Sequence, residues 1–310
     1  MVLKNILEAV GNTPLVELSR MQEGNCARIL AKVECLNVGG SIKTRTALGI
    51  IEAAERDGKI GPEAVIVEPT SGNQGVSLAL IAAVKGYKAK IVMPASMSKE
   101  RQQLIRSYGA ELVLTPEGKD ILETFQICIE KAYALQAEDP NVFIPQQFEN
   151  PANPGIHRET SAREIIKDTD GPLDAFVAGI GTGGSISGIG EVLKETYPDL
   201  KIIGVEPQNA AVLSGGRISH HAQQGIGDGF VPPVLNRSIL DEVLCVSDEN
   251  AIETARKLAA EEGILAGISS GSNVWASQQV ARKIGVGKTI VTLLPDTGER
   301  YLSMDIFGKD

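Results

Sequence analysis

Basic clusters and long apolar runs are scarce in this sequence, and each shortage argues against a class of protein. The 310 residues carry a formal net charge of −9, and Lys and Arg do not cluster, which argues against nucleic-acid binding. No apolar run reaches the roughly 18 residues that a membrane helix needs. The N-terminus lacks the apolar core of a signal peptide. We therefore expect a cytoplasmic protein with neither a nucleic-acid nor a membrane partner.

Cysteine and histidine are also few and scattered. The cysteines are Cys26, Cys35, Cys128 and Cys245, and the histidines are His157, His220 and His221. No cysteine pair has C-x-x-C spacing, and no histidine has a Ser or Asp partner at the spacing of a catalytic motif. The sequence therefore predicts reduced, mostly buried thiols, no metal site and no histidine-based triad.

The chain instead alternates short Val- and Ile-rich runs with amphipathic stretches. The predicted strands are 29–34, 64–67, 90–93, 111–114, 174–178, 201–205 and 289–294. The predicted helices are 42–57 (with Ser41 as N-cap), 73–85, 99–108 and 250–262, each followed by a glycine. This rhythm predicts an α/β fold with two domains, each a twisted, mostly parallel sheet flanked by helices. The Pro- and Asn-rich stretch 146–155 is the candidate boundary.

Lys43 ends the first of four clusters that could carry chemistry, residues 37–43. It would lie in the first turn of a helix, where the positive end of the helix dipole disfavours an ammonium group and lowers its pKa. A lysine with a lowered pKa is an amine nucleophile for a carbonyl group. By itself, this cluster fits a solvated surface lysine better.

Two further clusters combine hydroxyl and amide residues with glycine. Residues 69–75 (Pro-Thr-Ser-Gly-Asn-Gln-Gly) follow a strand and open a helix, which suits a carboxylate or merely a polar loop. Residues 267–272 (Gly-Ile-Ser-Ser-Gly-Ser) precede a helix expected to start near Asn273. A serine there could face a ring nitrogen, or the segment could be a simple turn.

The remaining cluster, residues 179–185, is a glycine loop between a strand and a helix, a geometry that binds phosphate. Gly179, Gly181 and Gly184 fit G-x-G-x-x-G, and Glu206 ends the next strand, where a dinucleotide-binding fold places its ribose ligand. An NAD-dependent oxidoreductase is therefore an alternative prediction from this segment.

Taken together, the clusters resemble the cysteine synthase family, the O-acetylserine sulfhydrylases among fold-type II pyridoxal-phosphate enzymes. The resemblance runs through residues 11–15, 40–43, 69–75, 147–154, 181–185, 267–271 and 295–301. It implies a tryptophan synthase β-like fold, with a smaller mobile domain of residues 44–148 and a larger cofactor-binding domain of residues 1–43 plus 149–310. It also implies a homodimer. The resemblance leaves a serine acetyltransferase open as a partner, but no residue of the sequence points to one.

The resemblance implies pyridoxal 5′-phosphate as cofactor and a role for each matching residue. Lys43 would bind the cofactor as a Schiff base and, as a free amine, carry the α-proton. The other cofactor residues would be Asn73 at the phenolic oxygen, Gly181, Thr182, Gly183, Gly184 and Ser185 at the phosphate, and Ser269 at the pyridine nitrogen. The substrate carboxylate would be held by Thr70, Ser71, Gly72, Gln74 and Gln147.

The implied reaction is β-replacement on a β-substituted L-alanine through an aminoacrylate, with a small nucleophile as second reactant. A binding protein that has kept the cofactor but lost turnover is the non-enzymatic alternative. Spectral changes on adding amino acids would distinguish the two.

Four residues depart from the family pattern: Val38, Thr44, Gln74 and Asp228. Asp228 would border the pocket near the β-substituent, where cysteine synthases usually have Ala. Two unit charges about 4 Å apart, at an effective dielectric of about 20, repel by about 4 kcal/mol, so Asp228 should disfavour an anionic nucleophile. A carboxylate could instead take a proton from water, a thiol or an amine. The alternatives are a sulfide-producing cysteine lyase forming L-serine, a serine-dependent synthase, a lanthionine- or cystathionine-type synthase, and an ordinary cysteine synthase with a solvent-facing Asp228.

Overall fold

The computed structural model of the chain describes residues 2–22, 24–70, 72–216, 218–304 and 306–308, without the side chain of residue 121. Its strands are β1 Leu15–Glu17, β2 Arg28–Lys32, β3 Val65–Pro69, β4 Lys88–Pro94, β5 Glu111–Thr115, β6 Val142–Phe143, β7 Ala175–Gly179, β8 Lys201–Pro207, β9 Glu242–Val246 and β10 Thr289–Leu293. Its α-helices are α1 Lys43–Arg56, α2 Asn73–Lys85, α3 Lys99–Ser107, α4 Ile121–Glu138, α5 Ala152–Glu159, α6 Ser161–Asp168, α7 Gly184–Thr196, α8 Asp248–Glu262 and α9 Ile268–Ile284.

The strands form two sheets, which confirms the predicted α/β class. The larger sheet has the order β1-β2-β10-β7-β8-β9 and is parallel except for β1, which runs antiparallel to β2. The smaller sheet has the order β5-β4-β3-β6 and is parallel throughout. Parallel strands need crossover connections, and the helices between them supply these connections.

Each sheet is covered on both faces because its buried strands carry apolar side chains in both directions. In the smaller sheet, Ile66 on β3 packs with apolar residues of α1 and α2, whereas Val65 and Val67 pack with Cys128 and Ala132 of α4. The larger sheet alternates in the same way between α8 and α9 on one face and α6 and α7 on the other. Each buried Val, Leu or Ile side chain contributes about 1.5–3 kcal/mol to this arrangement.

Two predicted helix starts are wrong. Ser41 does not cap α1: its backbone is extended and pairs with Asp296, and α1 begins after Ile42 without a side-chain cap. The helix expected near Asn273 begins at Ile268, with Gly267 as N-cap. Ser269 consequently lies inside the first turn of α9 and not in a preceding loop.

The chain crosses between the two sheets twice, once between β2 and β3 and once between β6 and β7. The smaller sheet is built from residues 65–143, and the larger from residues 15–32 and 175–293. Lys43 lies on the first crossing, and Gln147 lies on the second. In the part of the chain that is described, no helix is long and apolar enough to cross a membrane.

Candidate active site

A cleft of about 710 Å³ opens between the two sheets. Thr70 follows β3, Gly179 ends β7, and Leu293 ends β10, so the cleft lies at the carboxyl ends of strands from both sheets, where ligands of α/β proteins bind. The predicted site residues on its wall are Lys43, Thr70, Gly72, Asn73, Gln74, Gln147, Gly181, Thr182, Gly183, Ser185, Asp228 and Ser269. Gly184 is buried as the first residue of α7, and Ser71 lies outside the described residues.

Lys43 begins α1 and is partly buried in the cleft wall. Burial lowers the pKa of its ammonium group, and the carboxylates of Asp228 and Asp296 raise it. Among the described residues, no carboxylate lies within 4.0 Å of Lys43 Nζ. A partly buried lysine without a close counter-ion readily becomes a neutral amine, which is the form that attacks a carbonyl group or accepts a proton.

A buried ionic cluster fixes α1 to the larger sheet two residues after Lys43. The Arg45 guanidinium group lies 2.8 Å from Glu34 and 2.6 Å from Glu164, and Glu164 also accepts from Lys32 of β2 at 2.8 Å. Removing one partner of a buried pair costs about 3–5 kcal/mol. The backbone of Lys43 is therefore held firmly.

The glycine loop before α7 packs so closely against neighbouring parts of the chain that side chains would not fit at these positions. A Cβ atom on Gly181 would overlap the carbonyl oxygen of Gly225, and one on Gly184 would overlap Asn153 Oδ1. Gly183 is the N-cap of α7 with a left-handed backbone (φ 79°), which other residues rarely adopt. After Gly184, the N–H groups of the first turn of α7 have no preceding helix carbonyl to bind, so they can bind an anion.

Thr182 adds a hydroxyl donor to this loop. Its Oγ1 accepts hydrogen bonds from Gly184 N at 3.3 Å and Asn153 Nδ2 at 3.0 Å. Because the oxygen is already an acceptor for two donors, its own proton is left to donate to a ligand. The arrangement suits a phosphate group bound by helix N–H groups and a hydroxyl.

The predicted carboxylate site combines β3, the start of α2 and the second chain crossing. Thr70 Oγ1 accepts the N–H of Gly72 at 3.3 Å. Gln74 is buried, and neither of its amide atoms has a hydrogen-bond partner among the described residues; the same holds for Gln147 Oε1. An unpaired buried polar group costs about 1–3 kcal/mol. These amides therefore fit a polar ligand in the cleft.

Asp228 is half-buried in a loop in which Gly225, Gly227 and Gly229 all have positive φ. His221 holds this loop: Nε2–H donates to Gly227 O at 2.9 Å, and Nδ1 accepts from the backbone of Gln223 at 3.2 Å. Burial raises the pKa of the Asp228 carboxyl group, and Lys43 and His221 lower it. Lys43 and Asp228 thus interact electrostatically within the cleft.

Glu206 does not serve as a ribose ligand, which argues against the oxidoreductase alternative. It is buried, and its carboxylate accepts the backbone N–H groups of Leu213 at 3.0 Å and Ser214 at 2.9 Å. Both oxygens therefore bind the backbone of a loop.

Sequence reasoning missed the role of three buried charged residues beside the cleft: Arg101, Asp296 and Arg300. Asn73 Nδ2 donates to Asp296 Oδ2 at 2.7 Å, and Arg300 Nη1 donates to Asn73 Oδ1. Arg101 lies on the cleft wall. The motif at residues 295–301 belonged to the family resemblance, but its side-chain contacts are long-range and leave no signal in local spacing.

Similarity to known proteins points to one cofactor. The sequence profile of the family "Pyridoxal-phosphate dependent enzyme" matches residues 6–296. The cysteine synthase of Staphylococcus aureus (strain N315) is 50% identical over 307 residues, which cover 99% of this chain and 97% of that protein. Two solved structures are also similar. The first is a lysine-to-alanine mutant of O-ureido-L-serine synthase with O-ureido-L-serine bound, which is 43% identical with a TM-score of 0.93. The match covers 100% of this chain and 95% of the synthase chain. A hydrogen sulfide-producing enzyme from Fusobacterium nucleatum is 42% identical with a TM-score of 0.92. The match covers 97% of this chain and 100% of the Fusobacterium chain.

Proposed function

Because the chain belongs to the family of pyridoxal-phosphate dependent enzymes, we propose that it replaces the β-substituent of a β-substituted L-alanine. It is an enzyme of fold type II that uses pyridoxal 5′-phosphate and acts in cysteine and sulfide metabolism. The observation that carries the specific proposal is that Lys43 and the glycine loop of α7 face one cleft.

The residues of the cleft fit the cofactor at each of its polar groups. The loop of Gly181, Thr182, Gly183, Gly184 and Ser185, which excludes side chains, would hold the phosphate. Asn73 would donate to the phenolic oxygen. Ser269, in the first turn of α9, would face the pyridine nitrogen. When bound, the cofactor supplies an electron sink for the charge that develops at the substrate Cα atom.

The remaining residues would bind the substrate and move its proton. Gln74 brings a buried amide whose Nε2 group has no partner and can donate to a substrate carboxylate, and the Thr70 hydroxyl keeps its own proton to donate because its oxygen accepts from Gly72 N. Gly72, Gln147 and Ser71 complete the set by resemblance. The Lys43 amine would take the α-proton, because its lowered pKa provides a neutral base.

Replacement of Lys43 tests the proposal. The purified protein should be yellow, and Lys43→Ala should lose the visible Schiff-base absorption together with activity, by at least about 10²-fold as expected for loss of a general base. Lys119→Ala is the matched control, because Lys119 is a lysine on the same cleft wall. If Lys43→Ala keeps the band and Lys119→Ala loses it, the assignment of Lys43 is wrong.

Asp228 favours a second candidate within the same chemistry, release of sulfide from L-cysteine. Lys43 would take the α-proton as the Cβ–S bond breaks and bisulfide leaves. Water would then add its oxygen to Cβ while Asp228 takes its proton and passes it to bisulfide, and Lys43 would return the proton to Cα, so that L-serine and hydrogen sulfide form. The negative charge in the cleft disfavours bisulfide as the nucleophile, and the similar Fusobacterium protein is a hydrogen sulfide-producing enzyme.

Asp228→Asn separates the two candidates. It should lower sulfide release from L-cysteine by about 10²- to 10⁴-fold, the usual contribution of a general base, while cysteine synthesis from O-acetylserine and sulfide is retained or increases. Glu117→Gln, another carboxylate of the cleft wall, should change neither rate. Equal rates in Asp228→Asn and the parent protein would show that Asp228 has no catalytic role. Spectral titration with O-acetylserine, serine, phosphoserine and cysteine then identifies the leaving group.

Family membership also supports three structural parts of the proposal. Residues 44–148 would move as a small domain against residues 1–43 plus 149–310, the chain would form a homodimer, and it would work in the cytoplasm. The substrates are small: an amino acid and a small nucleophile. Sedimentation equilibrium of the purified protein measures the oligomeric state directly.

A further inference from the structure

Asp296 is a buried carboxylate that touches two walls of the cofactor cleft without lining it. Its Oδ2 accepts from Asn73 Nδ2 at 2.7 Å and from the Tyr301 hydroxyl at 2.6 Å. A Cβ atom on Gly267 would overlap its Oδ1, so the carboxylate lies directly against the N-cap of α9. That position is favourable for a negative charge, because the helix N-terminus carries a partial positive charge.

Arg300 holds the other side of the Asn73 amide. Its guanidinium group donates to Asn73 Oδ1 through Nη1 and to the Gly39 carbonyl through Nη2. Arg300 and Tyr301 are both buried, and the Arg101 guanidinium group stacks on the Tyr301 ring at 5.1 Å. The amide is therefore held between a carboxylate and a guanidinium group.

These two partners fix the orientation of the amide by their chemistry. A carboxylate only accepts hydrogen bonds and a guanidinium group only donates them, so Nδ2 must face Asp296 and Oδ1 must face Arg300. With one Nδ2 hydrogen donated to Asp296, the other is left for the cleft, whose wall includes Asn73. A flipped amide would place two donors together and two acceptors together.

We propose that Asp296 is the positioning residue for Asn73: with Tyr301 and Arg300 it locks the amide so that one N–H serves the phenolic oxygen of the cofactor. This inference rests on the proposed contact between Asn73 and that oxygen. Asp296 acts through Asn73, so its effect should require a phenolic oxygen on the ligand.

An analogue without that oxygen supplies the test. Full-length protein freed of cofactor is titrated with pyridoxal 5′-phosphate and with 3-deoxypyridoxal 5′-phosphate. Asp296→Asn should weaken binding of the natural cofactor about tenfold, the size of one lost hydrogen bond to a charged or polarised group. Binding of the deoxy analogue should change by less than about twofold, within the scatter of independent sites.

Tyr301→Phe keeps the result decisive if Asp296→Asn does not fold. It removes only the hydroxyl donor to Asp296, leaves the ring beneath Arg101, and should shift cofactor affinity in the same direction by a smaller factor. Tyr87→Phe is the matched control, because Tyr87 donates to Glu55 at 2.9 Å and does not line the cleft. It should leave both affinities unchanged.

Two outcomes overturn the inference and are distinguishable from each other. Equal weakening of both ligands would show that Asp296 acts on the fold or through Lys43, and the proposed role of Asn73 would stand. If Asn73→Ala also fails to discriminate between the two ligands, then the contact between Asn73 and the phenolic oxygen is wrong as well.

Discussion

Glu68 lies within β3, almost fully buried at 1% exposure, and holds the backbone next to Gln147, a proposed substrate ligand. Its carboxyl oxygens accept the N–H groups of Gln146 at 3.1 Å and Gln147 at 3.2 Å. Gln146 has a positive φ of 54°, which is unfavourable for a residue with a side chain. The two hydrogen bonds from Glu68 stabilise this turn and so place Gln147 beside the cleft.

Glu68 should make stability depend on pH near neutrality. Burial raises the pKa of its carboxyl group from 4.5 to about 8, although the two N–H donors lower it. Between pH 4.5 and about pH 8, the native state keeps a proton on Glu68 that the unfolded chain releases. The free energy of unfolding therefore falls as pH rises through this range, by up to roughly 4–5 kcal/mol. Urea denaturation from pH 5 to 9 should show this slope in the parent protein and lose it in Glu68→Gln. Parallel profiles would contradict the prediction; Glu111→Gln, an exposed carboxylate, is the control.

Two departures from the family pattern, Val38 and Thr44, are in direct contact. Thr44 Oγ1 donates to the carbonyl of Val38 at 2.6 Å and lies 3.1 Å from Ser77 Oγ. Val38 has an N–H group, which donates to Asn37 Oδ1 at 2.9 Å, whereas the proline usual in the family has none. The changes at positions 38 and 44 are thus neighbours in space, which their sequence spacing does not reveal.

At the scale of elements, sequence reasoning worked where the signal is local. All seven predicted strands are present, and glycines ended the four predicted helices because Gly58, Gly86, Gly109 and Gly263 adopt the left-handed backbone that favours glycine. The strands that were missed are β1, β6 and β9. The first two have three and two residues, and β9 is an edge strand interrupted by an exposed Cys245, so none of them shows a clear apolar period.

The two wrong helix starts have one long-range cause. Ser41, expected to cap α1, instead pairs with Asp296, and Gly267, the N-cap of α9, donates its N–H to the Asp296 carbonyl at 2.9 Å. A residue near the end of the chain therefore sets both helix starts. Motif matching could find residues 295–301, but neither spacing nor propensity could show that Asp296 pairs with Ser41 before α1 and with Gly267 before α9.

At the scale of the molecule, residues of the smaller sheet's unit contact the larger unit around the cleft. Glu100 of α3 accepts from Ser303 N at 3.2 Å and Ser303 Oγ at 2.9 Å, and Arg101 donates to Gln224. Phe125 of α4 stacks on Phe230 with ring centroids 6.0 Å apart. Arg101, Phe125 and Gln224 line the cleft, so a movement that separates its two walls would break these contacts.

Glu100→Ala should therefore favour the open arrangement and weaken substrate binding. Exposed charge-assisted contacts of this kind contribute about 0.2–1 kcal/mol, so KM for the amino acid should rise by up to about fivefold while kcat changes little. Steady-state kinetics with L-cysteine and with O-acetylserine measure both constants.

Glu111→Ala is the matched control, because its ion pair with Lys90 at 3.1 Å lies within the smaller sheet and does not span the cleft. Adding Ser303→Ala to Glu100→Ala should cause no further change, since both remove the same contact. An equal rise of KM in Glu100→Ala and Glu111→Ala, or a fall in kcat alone, would show that the contact between Glu100 and Ser303 does not stabilise the closed cleft.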